Sequence, residues 1–323
     1  MGQLVNGQWS DSDERPTDAS GAYLRASSAF RHWVTADGSA GPTGESGYKA
    51  EPGRYHLFVA QTCPWAHRAA IYRSLKGLED VITMSQADAP KSAGWSFTKG
   101  FEHLKSGDSG VFHLHQVYTA ADPSYSGKVT VPTLWDRERR SIVNNESSEI
   151  IRMFDTAFDG VGANAEELCP PDLLAEIDEV NDFVYEHVNN GVYRTGFAKT
   201  QAAYEEAVAK VFKGLDWLED RLSQQRYLAG SQITEADWRT FPTLVRFDSV
   251  YYSHFKCNIR RVQDYPNLSA YTRELFQRPG IAETCDMEAM KVGYYAAMPS
   301  INPSGIIPVG PDTSWLLEPH GRG

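Results

Sequence analysis

The stretch "TCPWAHR" (residues 62–68) places a cysteine directly before a proline and a run of helix-forming residues. Proline suits the first turn of a helix, where its missing N–H would have no helical partner anyway, so Pro64 predicts that a helix begins here. Cys63 then caps that helix, where backbone N–H groups and the positive end of the helix dipole favour an anion. Because the thiolate is the nucleophilic form of cysteine, Cys63 is a candidate nucleophile. The alternative is a small buried cysteine without a chemical role.

The length and the charge of the chain limit the classes of function. A chain of 323 residues can bury a full core and divide into two domains. Lysine and arginine number 31 against 42 aspartates and glutamates, and the net charge is −11. Without a basic block, this charge argues against a nucleic acid partner. No apolar run approaches the length of a membrane-spanning helix, and the beginning of the chain has no signal-peptide pattern, so no membrane partner is expected.

The cysteines are scattered, at positions 63, 169, 257 and 285. Their spacing fits neither a disulfide framework nor a paired zinc site, which predicts a cytoplasmic protein with reduced thiols. His113 and His115 could share one face of a strand as metal ligands. No third ligand has a suitable spacing, so no metal ion is expected.

The first half of the chain predicts a layered α/β domain. Its predicted elements are strands at 55–60, 81–85, 129–136 and 141–145 and helices at 64–77 and 146–158. The stretch between the second and third strands is longer than an ordinary connection and is a candidate functional insertion. The order strand, helix, strand, insertion, strand, strand, helix is that of a thioredoxin-like domain, which we expect at residues 51–158.

The second half of the chain predicts helices only. Apolar residues recur at three- and four-residue steps from Tyr204 to Leu222, which is typical of an amphipathic helix. "TEAD" (234–237) offers a capping box with Asp in place of Glu. These signals predict an all-helical C-terminal domain at 171–298. The remaining segments are expected to be an irregular N-terminal arm at 1–50 and an extended tail, rich in Pro and Gly, at 299–323.

Three features of the first domain fit one small peptide ligand. Cys63 would meet its thiol, and Val131 precedes a proline that is often cis in such domains, leaving a backbone edge for a peptide-like ligand. Glu146 and Ser147 open a helix whose N–H groups can bind a carboxylate. A strand-edge proline and simple helix capping explain the last two features equally well when each is taken alone. Together the three features point to glutathione. Since Ala66 replaces the second cysteine of a C-x-x-C pair, any disulfide of Cys63 must form with an external thiol.

In this sequence, eight segments occur in the order found in one family: "CPWAHR", "GWSF", "TVPTLWD", "NNESSEIIRMF", "NNGVYRTGFA", "ITEADWR", "VRFDSVYYSHFKCN" and "INPSGIIPVGP". On these segments the chain resembles the glutathionyl-hydroquinone reductases, also called xi-class glutathione transferases, from about Tyr23 to the C-terminus. The resemblance implies a glutathione transferase fold, in which the thioredoxin-like domain precedes the all-helical domain. It also implies a homodimer built mainly from the helical domains.

The resemblance further implies roles for single residues. Cys63 is the nucleophile, Tyr193 transfers a proton, and Tyr251 and Tyr294 stabilise the thiolate. The implied glutathione-binding residues are Trp95, Lys128, Val131, Glu146 and Ser147. Lys128 stands where the family often has arginine. Lysine offers a point charge in place of the bidentate hydrogen-bonding fork of arginine. For Trp95, ordinary burial under the insertion is the alternative.

The predicted function is that of a glutathione-dependent oxidoreductase. The Cys63 thiolate attacks the sulfur of a glutathionylated hydroquinone, and a second glutathione resolves the resulting mixed disulfide. Its partners are then glutathione and a glutathionylated aromatic substrate. Two alternatives stay open at this point. An omega-like thioltransferase or dehydroascorbate reductase needs Cys63 but not Tyr193, and a non-catalytic module binds glutathione or another ligand without turnover.

Overall fold

The computed structural model describes residues 2–12, 15–88, 94–98 and 112–323, so parts of the predicted insertion (89–93 and 99–111) lie outside the described residues. The chain divides into two compact units. The first unit comprises Met1–Glu14 and Ser27–Glu166, and the second comprises Arg15–Ala26 and Glu167–Gly323. The residues of the predicted arm are therefore divided between the two units.

The first unit contains both strands and helices. Its strands are β1 (Gln3–Val5), β2 (Gln8–Ser10), β3 (Tyr55–Val59), β4 (Thr83–Gln86), β5 (Ser96–Phe97), β6 (Phe112–His113), β7 (Gly127–Lys128), β8 (Thr133–Asp136) and β9 (Ser141–Asn144). Its helices are α1 (Pro64–Leu75), α2 (Leu114–Ala121) and α3 (Ser147–Thr156). The central sheet has the order β4-β3-β8-β9, with β3 and β4 parallel and the other pairs antiparallel. This topology confirms the thioredoxin-like prediction.

Strand β3 forms the centre of this sheet. All of its residues are buried, as expected for an apolar run covered on both faces. The chain turns immediately after β3, where the Cys63 N–H donates to the Ala60 carbonyl at 3.0 Å, and α1 begins at Pro64 as predicted. Cys63 therefore lies at the carboxyl end of the central strand.

The predicted insertion and the strand after it differ from the structure. The insertion contains a helix, α2, which sequence reasoning did not identify. The strand expected at 129–136 begins only at Thr133, because Pro132 has no N–H to donate to a strand ladder. The Val131–Pro132 peptide bond is cis, in agreement with the sequence.

The start of the arm was expected to be irregular, and for residues 3–10 that expectation is wrong. Strands β1 and β2 pair in antiparallel register, Leu4 opposite Trp9. The turn consists of Asn6 and Gly7, with φ of 48° and 74°. Asn-Gly is the residue pair that suits a two-residue turn with two positive φ angles, so the missed signal was "VNGQ". β1 pairs on its other side with β7.

A later part of the arm lies along the edge strand β9. The His32 N–H donates to the Val143 carbonyl at 2.9 Å, and the Asn144 side chain donates to the His32 carbonyl at 2.9 Å. Arg31 forms an ion pair with Glu149 of α3. The arm thus covers the edge of β9, which would otherwise be open to pairing with another strand.

The second unit is helical. Its α-helices are α4 (Leu174–Val184), α5 (Gly191–Phe197), α6 (Gln201–Gln224), α7 (Glu235–Arg246), α8 (Pro266–Phe276) and α9 (Met287–Ala297). Two π-helical segments, Tyr185–Asn189 and Phe247–Tyr251, follow α4 and α7. The long helix and the capping box of Thr234 and Asp237 are confirmed. Within the described residues, no helix is both long enough and apolar enough to cross a membrane.

The tail after Pro299 is extended except for a short 3-10 turn at Ser314–Leu317. Trp315 and Leu316 of this turn are buried. The Gln277 side chain donates to the carbonyls of Leu316 and Glu318 at 2.8 and 2.7 Å. These contacts fasten the tail to the end of α8.

Candidate active site

Cys63 occupies the N-cap of α1, as predicted. Its sulfur accepts a hydrogen bond from the Ala66 N–H at 3.4 Å, and its thiol donates to the Val131 carbonyl at 3.2 Å. The side chain is partly exposed. A sulfur that receives a backbone N–H at a helix start is placed where negative charge is favoured. The contact with Val131 brings together two of the residues that the sequence singled out.

The loop that carries Val131 is fixed by the buried hydroxyl of Tyr118 on α2. This hydroxyl donates to the Thr130 carbonyl at 3.0 Å and accepts from the Thr130 N–H at 3.2 Å. It also accepts from the Asn145 side chain at 3.1 Å. One hydroxyl therefore joins the loop next to Cys63 to the residue that precedes Glu146, at the start of α3.

Tyr118→Phe is expected to lower the free energy of unfolding by ~1–3 kcal/mol, because it leaves buried partners of the hydroxyl without a hydrogen bond. The ring, which is fully buried, stays in place. Urea denaturation of the variant and the wild type measures the difference. An unchanged denaturation midpoint would show that the hydroxyl contributes nothing to the stability of this loop.

Glu146 caps α3 and is held by several donors. Its carboxylate accepts from the Ser148 N–H and hydroxyl at 3.2 and 2.9 Å and from the Ser28 hydroxyl at 3.0 Å. Burial acts to raise the pKa of Glu146, but the hydrogen bonds from Ser148 and Ser28 and the charge of Arg68 outweigh it, so the pKa is lowered. The helix start therefore carries a fixed carboxylate, which suits the ammonium of an amino acid.

Arg68 is a residue that sequence reasoning missed, although it lies in the quoted stretch. It is buried, donates to the Ser147 hydroxyl at 3.4 Å and lies over the Trp65 ring at 4.6 Å. A guanidinium beside a helix N-terminus adds positive charge where a carboxylate would bind. The start of α3 thus offers Glu146 for a cation and Ser147 with Arg68 for an anion. The sequence offered only a weak signal for it, because α1 also carries a second arginine, Arg73.

Trp95 and Lys128 lie on two short segments of the same unit. Trp95 is 8% exposed, and its carbonyl accepts from the Leu114 N–H at 2.9 Å, at the beginning of α2. Lys128 is in β7 and pairs with Gln3 of the hairpin. Both predicted glutathione-binding residues are thus held by elements that were not predicted, α2 and the hairpin.

Three tyrosines predicted as site residues meet in the second unit. The hydroxyls of Tyr193 and Tyr294 are 2.5 Å apart, and those of Tyr251 and Tyr294 are 2.9 Å apart. All three side chains are buried. Burial, and then the neighbouring Tyr193 and Tyr251, raise the pKa of Tyr294 well above its ordinary value. The three hydroxyls form a chain along which hydrogen bonds can run toward Tyr193.

Two of these tyrosines, Tyr193 and Tyr251, lie after or within π-helical segments. The π-helical segment Tyr185–Asn189 precedes α5, which carries Tyr193. The segment Phe247–Tyr251 ends at Tyr251. π-Helical turns occur frequently at functional sites. They cannot be read from hydrophobic periodicity, so sequence reasoning did not identify them.

The two histidines that were considered as metal ligands form an aromatic stack. The His113 and His115 rings are 5.3 Å apart, and Trp9 stacks on His115 at 4.8 Å. Burial, followed by the charge of His113, lowers the pKa of His115 to about 4. Among the residues described here, no group of three or more His, Cys, Asp and Glu side chains is arranged to hold a metal ion.

Comparison with known proteins identifies both domains of the chain. The family models of the glutathione S-transferase N-terminal and C-terminal domains match residues 62–157 and 201–274. The chain is 51% identical to glutathionyl-hydroquinone reductase YqjG of Escherichia coli (strain K12), over 100% of this chain and 98% of that protein. It is 48% identical to glutathionyl-hydroquinone reductase PcpF of Sphingobium chlorophenolicum, over 96% of both chains.

Two solved structures have the same fold. The glutathione-bound structure of YqjG matches with a TM-score of 0.89 at 49% identity, over 99% of both chains. The xi-class glutathione transferase of Natrialba magadii matches with a TM-score of 0.86 at 43% identity, over 100% of this chain and 96% of that one. With a match to both domain models and such identity over its full length, the chain belongs to the glutathionyl-hydroquinone reductases, the xi class of the glutathione S-transferases.

Proposed function

We propose that this protein reduces glutathionyl-hydroquinones to hydroquinones, with glutathione as co-substrate. Its E. coli and Sphingobium relatives are named for that activity. The observation that carries the proposal is the Cys63 sulfur, which caps a helix and accepts from the Ala66 N–H. A single thiol placed in this way suits disulfide exchange with an external thiol.

In the first step, the Cys63 thiolate attacks the sulfur that joins glutathione to the hydroquinone ring. A sulfur–sulfur bond forms, and the sulfur–carbon bond breaks. The ring carbon takes the electron pair and one proton and leaves as free hydroquinone. The aromatic ring is thereby reduced, the two sulfurs are oxidised, and Cys63 carries a glutathione disulfide.

In the second step, the thiolate of another glutathione attacks the glutathione sulfur of this disulfide. Oxidised glutathione leaves, and the Cys63 thiolate returns. The net reaction consumes one glutathionyl-hydroquinone and one glutathione and yields one hydroquinone and one oxidised glutathione. Every step uses side chains of the protein and glutathione, without a metal ion.

The proton of the first step is assigned to Tyr193. Its hydroxyl lies at one end of the tyrosine chain. In one arrangement of these hydrogen bonds, Tyr251 donates to Tyr294 and Tyr294 donates to Tyr193, and we propose that Tyr193 gives its own proton to the substrate. A neutral tyrosine can act as a general acid for a developing carbanion. Tyr251 and Tyr294 are proposed to support that hydroxyl and to stabilise the thiolate.

Glutathione is proposed to bind to the first unit along three segments. The backbone of Val131 pairs with the peptide, and the start of α3 takes the γ-glutamyl group. There Glu146 faces the ammonium, while Ser147, with Arg68 behind it, faces the carboxylate. Trp95 covers the ligand, and Lys128 supplies a positive charge.

Ser147→Ala is expected to raise the KM for glutathione about fivefold, which corresponds to the loss of one hydrogen bond of ~1 kcal/mol. Steady-state kinetics with varied glutathione measures this change. Ser269→Ala is the matched control and should keep the wild-type KM, because Ser269 is also a buried serine that accepts from an arginine, Arg273 at 3.1 Å, but has no proposed role in binding. If Ser147→Ala keeps the wild-type KM as the control does, Ser147 does not bind glutathione and serves only the structure at the start of α3.

The setting of the reaction is also proposed. The four cysteines of the chain are thiols, and the reaction consumes reduced glutathione. Both features suit the reducing cytoplasm, where we propose that the protein acts. The assembly is proposed to be a homodimer formed mainly through the helical domains, which sedimentation of the purified protein measures.

Incubation of the purified protein with a glutathionylated hydroquinone and glutathione tests the proposed function. Free hydroquinone and oxidised glutathione should appear in equal amounts. If the protein reduces only glutathione mixed disulfides or dehydroascorbate, it is an omega-like thioltransferase instead. Glutathione binding without any product would identify a binding module.

A further inference from the structure

The N-terminal hairpin, formed by β1 and β2, is attached to the segment that ends in Lys128. Gln3 and Leu4 of β1 pair with Lys128 and Gly127. At the turn, the Gly7 N–H donates to the Tyr125 carbonyl at 3.0 Å. The Asn6 N–H donates to the Ser126 hydroxyl at 2.8 Å. The contacts therefore run along the whole of the segment 125–128.

Strand β2, the other strand of the hairpin, carries Trp9, which contacts two segments that adjoin Trp95. Trp9 of β2 stacks on His115 of α2, with ring centroids 4.8 Å apart and an angle of 25° between the planes. It also lies against Gly94, where an added Cβ would come within 2.7 Å of the Trp9 ring. Trp95 follows Gly94 directly and is hydrogen-bonded to the start of α2. Trp9 is thus packed against both supports of Trp95.

We propose that the hairpin, residues 3–10, positions Lys128 and Trp95 for glutathione, with Trp9 as its positioning residue. The proposal rests on the proposed function, in which Lys128 and Trp95 contact glutathione. The two residues are far apart in the sequence and lie in strands or bends of very few residues. The hairpin touches both segments, so it can hold them in one arrangement before the ligand arrives.

The physical basis is preorganisation. A ligand that must order two short segments loses part of its binding free energy to that ordering. A hairpin that orders them beforehand removes this cost. Such coupling is reciprocal: if the docked hairpin favours glutathione binding, bound glutathione must favour the docked hairpin by the same factor.

Trp9→Ala is the test variant. We expect the KM and the calorimetric Kd for glutathione to rise by about 5–150-fold, the range typical of coupling between two sites. The kcat at saturating glutathione should stay unchanged, because Trp9 is not assigned to the chemistry. Trp9→Phe keeps a ring over His115 and should restore most of the affinity. If Trp9 only stabilised the fold, its loss would not raise the KM and leave the kcat unchanged.

Trp33→Ala is the matched control. Trp33 is another tryptophan of the arm, and its indole N–H donates to the Thr43 hydroxyl at 2.9 Å, outside the hairpin. We expect wild-type KM and Kd values for this control. If Trp9→Ala behaves like Trp33→Ala, the hairpin does not position the glutathione-binding residues and the proposal is overturned.

Hydrogen exchange of the wild type gives a second test that needs no variant. Saturating glutathione should slow exchange of the Gly7 amide, which donates to Tyr125 in the docked hairpin. Glutathione binding with unchanged exchange at Gly7 would contradict the coupling.

Lys128→Ala separates the role of the hairpin from the proposed function. If it leaves the Kd unchanged, the binding role of Lys128 in the proposed function fails; if it weakens binding while Trp9→Ala does not, only the role of the hairpin fails.

Discussion

Cys63→Ser is expected to reduce the turnover of glutathionyl-hydroquinones to the uncatalysed background, while glutathione binding persists. A hydroxyl cannot form the mixed disulfide through which both steps pass. Serine is similar in size and can still cap α1, so the fold should be kept. Product formation measures turnover, and mass spectrometry of the wild type should find one glutathione on Cys63.

Two of the other three thiols provide the control for this prediction. Burial raises the pKa of Cys257 to about 12 and that of Cys285 to about 11. Both groups therefore stay protonated at neutral pH and should not react with glutathione disulfides. Cys285→Ser should keep full turnover. Turnover that survives in Cys63→Ser, or a glutathione adduct that forms elsewhere, would contradict the mechanism.

Tyr193→Phe is expected to lower the rate with glutathionyl-hydroquinones by ~10²–10⁴-fold, the usual contribution of general acid catalysis. Breaking the bond between sulfur and the ring carbon leaves negative charge on carbon or its conjugated oxygens, and that charge needs a proton. Disulfide exchange needs no such proton, because a thiolate is a good leaving group. The same variant should therefore reduce a simple glutathione mixed disulfide at the wild-type rate.

Tyr295→Phe is the matched control, one residue beyond Tyr294. Its hydroxyl bonds to the Ser253 hydroxyl at 2.7 Å and belongs to a separate contact. The control should keep both activities. Equal losses of Tyr193→Phe on both substrates would make Tyr193 a structural or thiolate-stabilising residue, and no loss on either would remove it from the mechanism.

Local chemistry explains what could be predicted from the sequence. The capping position of Cys63 follows from the proline that comes after it, and the long helix α6 follows from its apolar spacing. The hairpin was missed although "VNGQ" is a strong turn signal, because its strands have only three residues each. Helix α2, with eight residues, is too short for its periodicity to be distinguished from that of a strand.

Contacts between distant residues could not be predicted in this way. Tyr193 and Tyr294 were singled out by resemblance, but their hydroxyl contact joins positions 101 residues apart. Arg68 lies in the most informative stretch of the chain, yet its contact with Ser147 depends on how α1 packs against α3. Such pairs are set by tertiary packing, which no local pattern encodes.

The π-helical segment Phe247–Tyr251 has a consequence for the direction of the side chains at its end and beyond. A π turn holds about one more residue than an α turn. If the same residues formed a regular α-helix instead, every later side chain would be rotated by about 100° around the helix axis. Tyr251 would then leave Tyr294. At this point of the chain, a regular α-helix and the hydrogen bond between the hydroxyls of Tyr251 and Tyr294 therefore exclude each other.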